Sequence, residues 1–145
     1  MGIEIKLEKI HPNAIIPIYA TDGSAAADLY STDNYDLPVN ARLIVKTGWK
    51  MALPSDHVGL INPKSGIAIN KGVTVLNAPG TLDRDYRGEV GVIVINHSND
   101  HYRIEKGQKI AQIMFVKYEQ ARFNIVESLD NTSRGDGGFG STGVK

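Results

Sequence analysis

Seven short β-type runs, each closed off by turn-forming residues, constrain this chain more than any other feature. Ile3–Ile10 alternates Ile and Leu with charge, the two-residue period of a half-buried strand. Further runs are Arg42–Val45, Val58–Ile61, Val73–Leu76, Val90–Ile95, Ile110–Val116 and Phe123–Val126. Gly, Pro, Asn and Asp separate them at Thr21–Ser24, Leu53–Asp56, Asn77–Gly80 and Asn96–Asp100. Strands this short cannot bury enough surface in pairs. They must stack into a sandwich or close into a barrel. The expectation is an all-β domain, a jelly-roll-like barrel or sandwich. One short helix is expected from Ser65 to about Asn70, and no internal repeat is visible.

The length of 145 residues suits a single core. Sixteen basic side chains balance 16 acidic ones, so no basic surface exists to track a nucleic-acid backbone. A single small anion needs only a few placed cations and stays within reach. Cysteine is absent, which removes disulfides and thiolate zinc sites. No apolar run approaches membrane-spanning length, and Met1–Lys6 lacks a signal-peptide core. A soluble, intracellular, cytoplasmic protein is expected, with viral or organellar origin left open. The chain divides into a β core over residues 1–128 and a Gly-rich arm over 129–145. Within it, Asn131–Gly143 holds five of the 15 glycines and one large apolar residue, Phe139. It is expected to be mobile without a ligand.

Five segments carry candidate chemistry. The densest is Gly80-Thr81-Leu82-Asp83-Arg84-Asp85-Tyr86-Arg87-Gly88-Glu89, where an acid and an aromatic ring sit in a glycine-bounded turn. Such an acid can orient a water, and the ring can pack on a cyclic ligand; a solvated hairpin tip is the plainer alternative. Pro63-Lys64-Ser65-Gly66 opens the candidate helix, with Ser65 as an N-cap or a phosphate donor. Ala26-Ala27-Asp28-Leu29-Tyr30-Ser31 isolates one acid, suited to a turn or to a hydrated Mg2+. In Gly107–Gln112 the Gln112 amide stands between apolar residues. In the arm, Arg134, Gly140, Ser141 and Thr142 offer phosphate donors, and Phe139 offers a flat ring. Gly135-x-Gly137-x-x-Gly140 is not a dinucleotide fingerprint, because only five residues follow and no helix can form. His97 and His101 have helical metal-site spacing, but the residues between them read as a turn.

Taken in order, these five segments resemble the five motifs of the homotrimeric dUTPases. The resemblance covers nearly the whole chain. It implies a jelly-roll subunit in a three-fold trimer whose active sites combine segments of different subunits. It further implies hydrolysis of dUTP to dUMP and pyrophosphate with Mg2+, which limits uracil in DNA and supplies dUMP for thymidylate. Asp83 would activate the water that attacks the α-phosphorus. Asn77, Gly80, Thr81 and Leu82 would bind uracil, Tyr86 the deoxyribose, and Phe139 would stack on the base. Lys64, Ser65, Gly66, Gln112, Arg134, Gly140, Ser141 and Thr142 would hold phosphates, and Asp28 the metal through water. Lys64 stands where the family more often has Arg, and Gln108-Lys109 replace an acid–Arg pair. Lys64 and Gln108 are therefore expected as two ends of a remodelled ion pair. Two other outcomes remain: a dCTP deaminase on a similar fold, which would need a Glu at the pyrimidine, and a non-catalytic binding member.

Overall fold

The computed structural model describes residues 2–145. In chain order the elements are β1 (Lys6–Lys9), β2 (Ile18–Tyr19), β3 (Ala27–Tyr30), β4 (Tyr35–Leu37), β5 (Arg42–Lys46), β6 (Trp49–Ala52), β7 (His57–Asn62), α1 (Ser65–Lys71), β8 (Val73–Val75), β9 (Gly80–Leu82), β10 (Gly91–Asn96), β11 (Tyr102–Ile104) and β12 (Lys109–Lys117). The largest sheet has the order β2-β3-β12-β7-β9, and a second runs β5-β10-β8. Two ribbons, β1-β6 and β11-β4, complete the layers. Every pairing is antiparallel. The last strand, β12, lies between β3 and β7, so the chain crosses over as a jelly roll requires. The sheets stay open and do not close into a barrel.

The alternation read in the sequence builds the core. On β10, Val92 and Val94 are fully buried while Ile93 and Ile95 lie on the other face, half-buried. Leu29, Leu37, Val45, Ile104, Ile110 and Ile113 meet them from the other strands. Burying a side chain of this size stabilises by roughly 1.5–3 kcal/mol. Asn96, also fully buried, donates to the carbonyls of Leu37 (3.0 Å) and Asp100 (2.8 Å) and accepts from the Ser98 amide (2.9 Å). The bonds offset its desolvation.

The structure departs from expectation at four places. Phe123–Val126 forms no strand; Phe123 and Ile125 are 94% and 99% exposed. Its β-type residues find no sheet edge among the described residues, and a strand is defined by its partner. The chain leaves its last strand at Lys117, so the segment outside the core begins well before residue 129. Ile3–Ile10 shortens to Lys6–Lys9, the part that pairs with β6. The helix falls where expected, but Lys64 is its N-cap, with an extended backbone and no capping side-chain bond. Ser65 is the first helical residue rather than the cap. Gly72 ends the helix at φ 63°, donating to the carbonyls of Ala68 and Ile67. No helix is long and apolar enough to cross a membrane.

Candidate active site

A first cleft, of about 180 Å³, is built on β9. Gly80, Thr81 and Leu82 pair with Ile61, Leu60 and Gly59 of β7. This pairing fixes the backbone of β9 at the cleft wall, where Asn77 joins it. Directly after the strand, the chain turns. The Tyr86 amide donates to the Asp83 carbonyl (3.2 Å). The Tyr86 hydroxyl donates to the Glu89 carbonyl (3.3 Å). Arg87 reaches back to the carbonyls of Arg84 (2.9 Å) and Tyr86 (3.1 Å). These bonds hold Asp83 and Tyr86 together at the cleft rim, as the sequence suggested. Gly88 allows it: a Cβ there would collide with the Tyr86 ring and hydroxyl. Glu89 also lines this cleft, and its Oε2 is buried without a partner among the described residues. Sequence reading passed over that role, although Glu89 closes the same motif.

A second cleft, of about 330 Å³, holds Asp28, Lys64 and Gln112. The sheet register explains the grouping. Asp28 of β3 faces Gln112 of β12, which faces Asn62 of β7, so three polar residues form one row across three strands. Lys64 follows two residues beyond Asn62. The Gln112 amide donates to the Pro63 carbonyl (2.9 Å), fixing the bend into the helix. Lys64 Nζ bonds Asp28 Oδ1, and Lys109 Nζ lies 3.0 Å from Asp28 Oδ2. Lys109 reaches that face through a β-bulge between Lys109 and Ala111. Without the bulge, residues 109 and 112 would point to opposite faces. Sequence analysis missed Lys109 for this reason.

Burial pushes the Asp28 carboxyl up, but hydrogen bonds and charge from Lys64 and Lys109 together outweigh it. They hold the carboxyl below its ordinary value of 3.8. The same bond to Asp28, and then its charge, raises Lys109 above 10.5. Gln108 takes no part. It donates to the Tyr102 hydroxyl and accepts from the Glu105 amide. The expected link between Lys64 and Gln108 is thus corrected: Lys64 is coupled to Lys109, through Asp28.

Asp28 leaves no carboxylate oxygen free to ligate a Mg2+ directly, whereas the expected contact runs through water. Both carboxylate oxygens are held by ammonium groups and the side chain is only 5% exposed. No group of three or more His, Cys, Asp or Glu stands ready for a metal among the described residues. His97 and His101 lie in the loop between β10 and β11, as their sequence context indicates.

The arm residues stand apart from both clefts. Arg134 Nε donates to the Gly137 carbonyl (2.8 Å), and the amides of Ser141 and Gly143 donate to Gly138 and Gly140. All of these bonds stay within the arm. Phe139 is fully exposed. Arg134, Phe139, Gly140, Ser141 and Thr142 line neither cleft.

The five-stranded sheet of this open jelly roll carries both the carboxylate–tyrosine turn after β9 and the lysine-bearing polar row across β3, β12 and β7, a combination suited to hydrolysis of a phosphorylated ligand. The dUTPase family model matches residues 12–143. The deoxyuridine 5'-triphosphate nucleotidohydrolase of Wolinella succinogenes is 46% identical over 97% of this chain and 95% of its own. That of Helicobacter pylori is 45% identical over 98% of both chains. A dUTPase of Staphylococcus bacteriophage 80alpha, solved with dUpNHpp, superposes with a TM-score of 0.89 at 25% identity, covering 97% of this chain and 99% of its own. A dUTPase of phage phi11 of S. aureus, described with a structural Mg(II) ion, reaches a TM-score of 0.80 at 20% identity over 88% and 99% of the two chains. The chain belongs to the dUTPase family and is an enzyme of the dUTP diphosphatase type.

Proposed function

We propose that this enzyme hydrolyses dUTP to dUMP and pyrophosphate, with Asp83 orienting and activating the water. The observation that carries this reading is the pairing of Asp83 and Tyr86 at the rim of a cleft walled by β9 backbone. The water oxygen bonds the α-phosphorus as the link to the bridging oxygen breaks, and pyrophosphate leaves. Asp83 accepts the water's proton in that step. Tyr86 packs on the deoxyribose and leaves no room for a 2′-hydroxyl. Asn77 and the backbone of Gly80, Thr81 and Leu82 pair with the uracil edge. Cytosine exchanges donor for acceptor, so it would leave buried groups unpaired, at about 1–3 kcal/mol each. By this selectivity the enzyme limits uracil in DNA and supplies dUMP for thymidylate.

Lys64, Ser65, Gly66 and Gln112 hold the phosphates from one side. Mg2+, bound with the triphosphate, would supply neutralising charge there, and Asp28 would hold it through water. Arg134, Gly140, Ser141, Thr142 and Phe139 complete the site from another subunit of a homotrimer. The exposed apolar run Phe123, Ile125, Val126 and Leu129 supports that reading, because it has no cover on its own subunit. An arm that departs from its own core after Lys117 is suited to reach a neighbour.

The test measures pyrophosphate and ammonia from dUTP, dCTP, dTTP and UTP, with Mg2+ and with EDTA. Pyrophosphate from dUTP alone is expected. Ammonia from dCTP would place the protein with the deaminases, and no product from any nucleotide would leave a binding module.

A further inference from the structure

The first cleft carries two acids and no cation. Asp83 and Glu89 line it, and no lysine, arginine or histidine does. Ionised carboxylates only accept hydrogen bonds. A phosphate is repelled by such a lining, whereas a ligand hydroxyl or N–H is drawn to it. The backbone around Glu89 is firmly held. Its carbonyl accepts from the Tyr86 hydroxyl (3.3 Å). The next residue, Val90, is pinned twice: its amide donates to the Trp49 carbonyl (2.8 Å), and its carbonyl accepts from the Thr47 hydroxyl (2.6 Å). Yet Glu89 Oε2 is buried with no partner among the described residues. A buried acceptor left unpaired costs stability, and nearly all such groups in folded proteins are satisfied. This one calls for a donor from outside the described residues.

We infer that Glu89 is a further specificity-determining residue, whose Oε2 accepts a hydrogen bond from the 3′-hydroxyl of the substrate's sugar. The inference deepens the dUTP reading and rests on it. In that reading Asn77 and the β9 backbone take the base, and Asp83 is engaged with the water. The donor left over on a deoxyuridine nucleotide is its 3′-hydroxyl. Glu89 belongs with the sugar for a second reason. Its carbonyl is bonded to the hydroxyl of Tyr86, the ring that packs on the deoxyribose, so two residues of one turn read the same sugar. The uracil N3–H fits less well, because it lies between two carbonyl oxygens that repel a carboxylate. A site built to bond a substrate hydroxyl rejects the analogue that lacks it, since the acceptor is then left unpaired.

The experiment titrates dUMP and 2′,3′-dideoxyuridine monophosphate into the full-length protein by calorimetry. Neither probe carries a bond that the proposed reaction breaks. The wild type is expected to bind dUMP about tenfold more tightly or better, the worth of one hydrogen bond to a charged acceptor. In Glu89→Met the two probes should bind within about twofold of each other. Glu89→Gln keeps an acceptor and should regain part of the preference. Melting temperature gives a readout that separates this role from a structural one. Glu89→Met removes a buried unpaired oxygen at similar volume, so its melting temperature should hold or rise. Equal binding of both probes by the wild type, or a preference that survives in Glu89→Met, would overturn the inference. A melting temperature lowered by several degrees in Glu89→Met would assign the carboxylate to the fold and overturn it too. Absence of any dUMP binding would refute the dUTP reading along with the inference, whereas dUMP binding that ignores Glu89 refutes the inference alone.

Discussion

Asp83 and Tyr86 share the cleft rim because Gly88 leaves room for the Tyr86 ring. The Asp83→Asn variant should keep substrate affinity and lose about three orders of magnitude in kcat, because the amide cannot take the water's proton. Equal losses in affinity and none in turnover would refute its role. Gly88→Ala should act on the partner. The added methyl displaces the Tyr86 ring, so KM for dUTP should rise about tenfold while the melting temperature moves little at this exposed turn. Discrimination against UTP should weaken in the same variant. Asp28 makes a third, thermodynamic prediction. Its folded carboxyl lies below 3.8, so its contribution to stability is complete above that value. It is lost as pH falls through the folded value. Lys109, raised above 10.5, contributes fully below that value and loses its contribution as pH climbs past it. Melting temperature followed from pH 2 to 5 should therefore decline less steeply for Asp28→Asn than for wild type.

At the level of elements, legibility followed length. β7, β10 and β12 each run six residues or more, and each was visible from its alternation. β2, β4 and β11 have two or three residues, too few for any period to show. β3 was seen as a motif around Asp28 but not as a strand, because all four of its residues are buried and nothing alternates. Phe123–Val126 had the composition of a strand and lacked only a partner, which no local pattern reports. In the site, the closeness of Asp83 and Tyr86 was legible because neighbours in sequence remain neighbours in space, whereas the three residues of β9 were read as part of a turn. The lysine cluster was not legible, since Lys109 reaches Asp28 only through the irregular register of β12. The Lys64–Gln108 pairing rested on where the chain departs from the family pattern, and such positions do not report which side chains meet across strands. A one-residue deletion that removes the bulge should turn Lys109 away from Asp28. The Asp28 carboxyl should then titrate higher than in the wild type, as followed by NMR.

For the whole molecule, the division between core and arm decides what can be removed. Every core sheet is complete by Lys117, and none includes a residue from the segment beyond it. Deleting Arg134–Lys145 should leave a folded, assembled protein with little activity, measured by chromatography and pyrophosphate release. Unfolding of that truncated chain would make the arm part of the structure instead of a cover for the site.

The arm's separation from its own clefts also bears on genetics. In an assembly that exchanges arms, a subunit is both a donor and a recipient, and the two capacities can fail separately. An Asp83→Asn chain still donates a sound arm, and a chain lacking residues 134–145 still offers a sound Asp83. Co-refolded, two nearly inactive proteins should yield a fraction of competent sites. Two damaged alleles in one cell would then complement each other, and a single count of inactive subunits would misjudge the enzyme's remaining capacity.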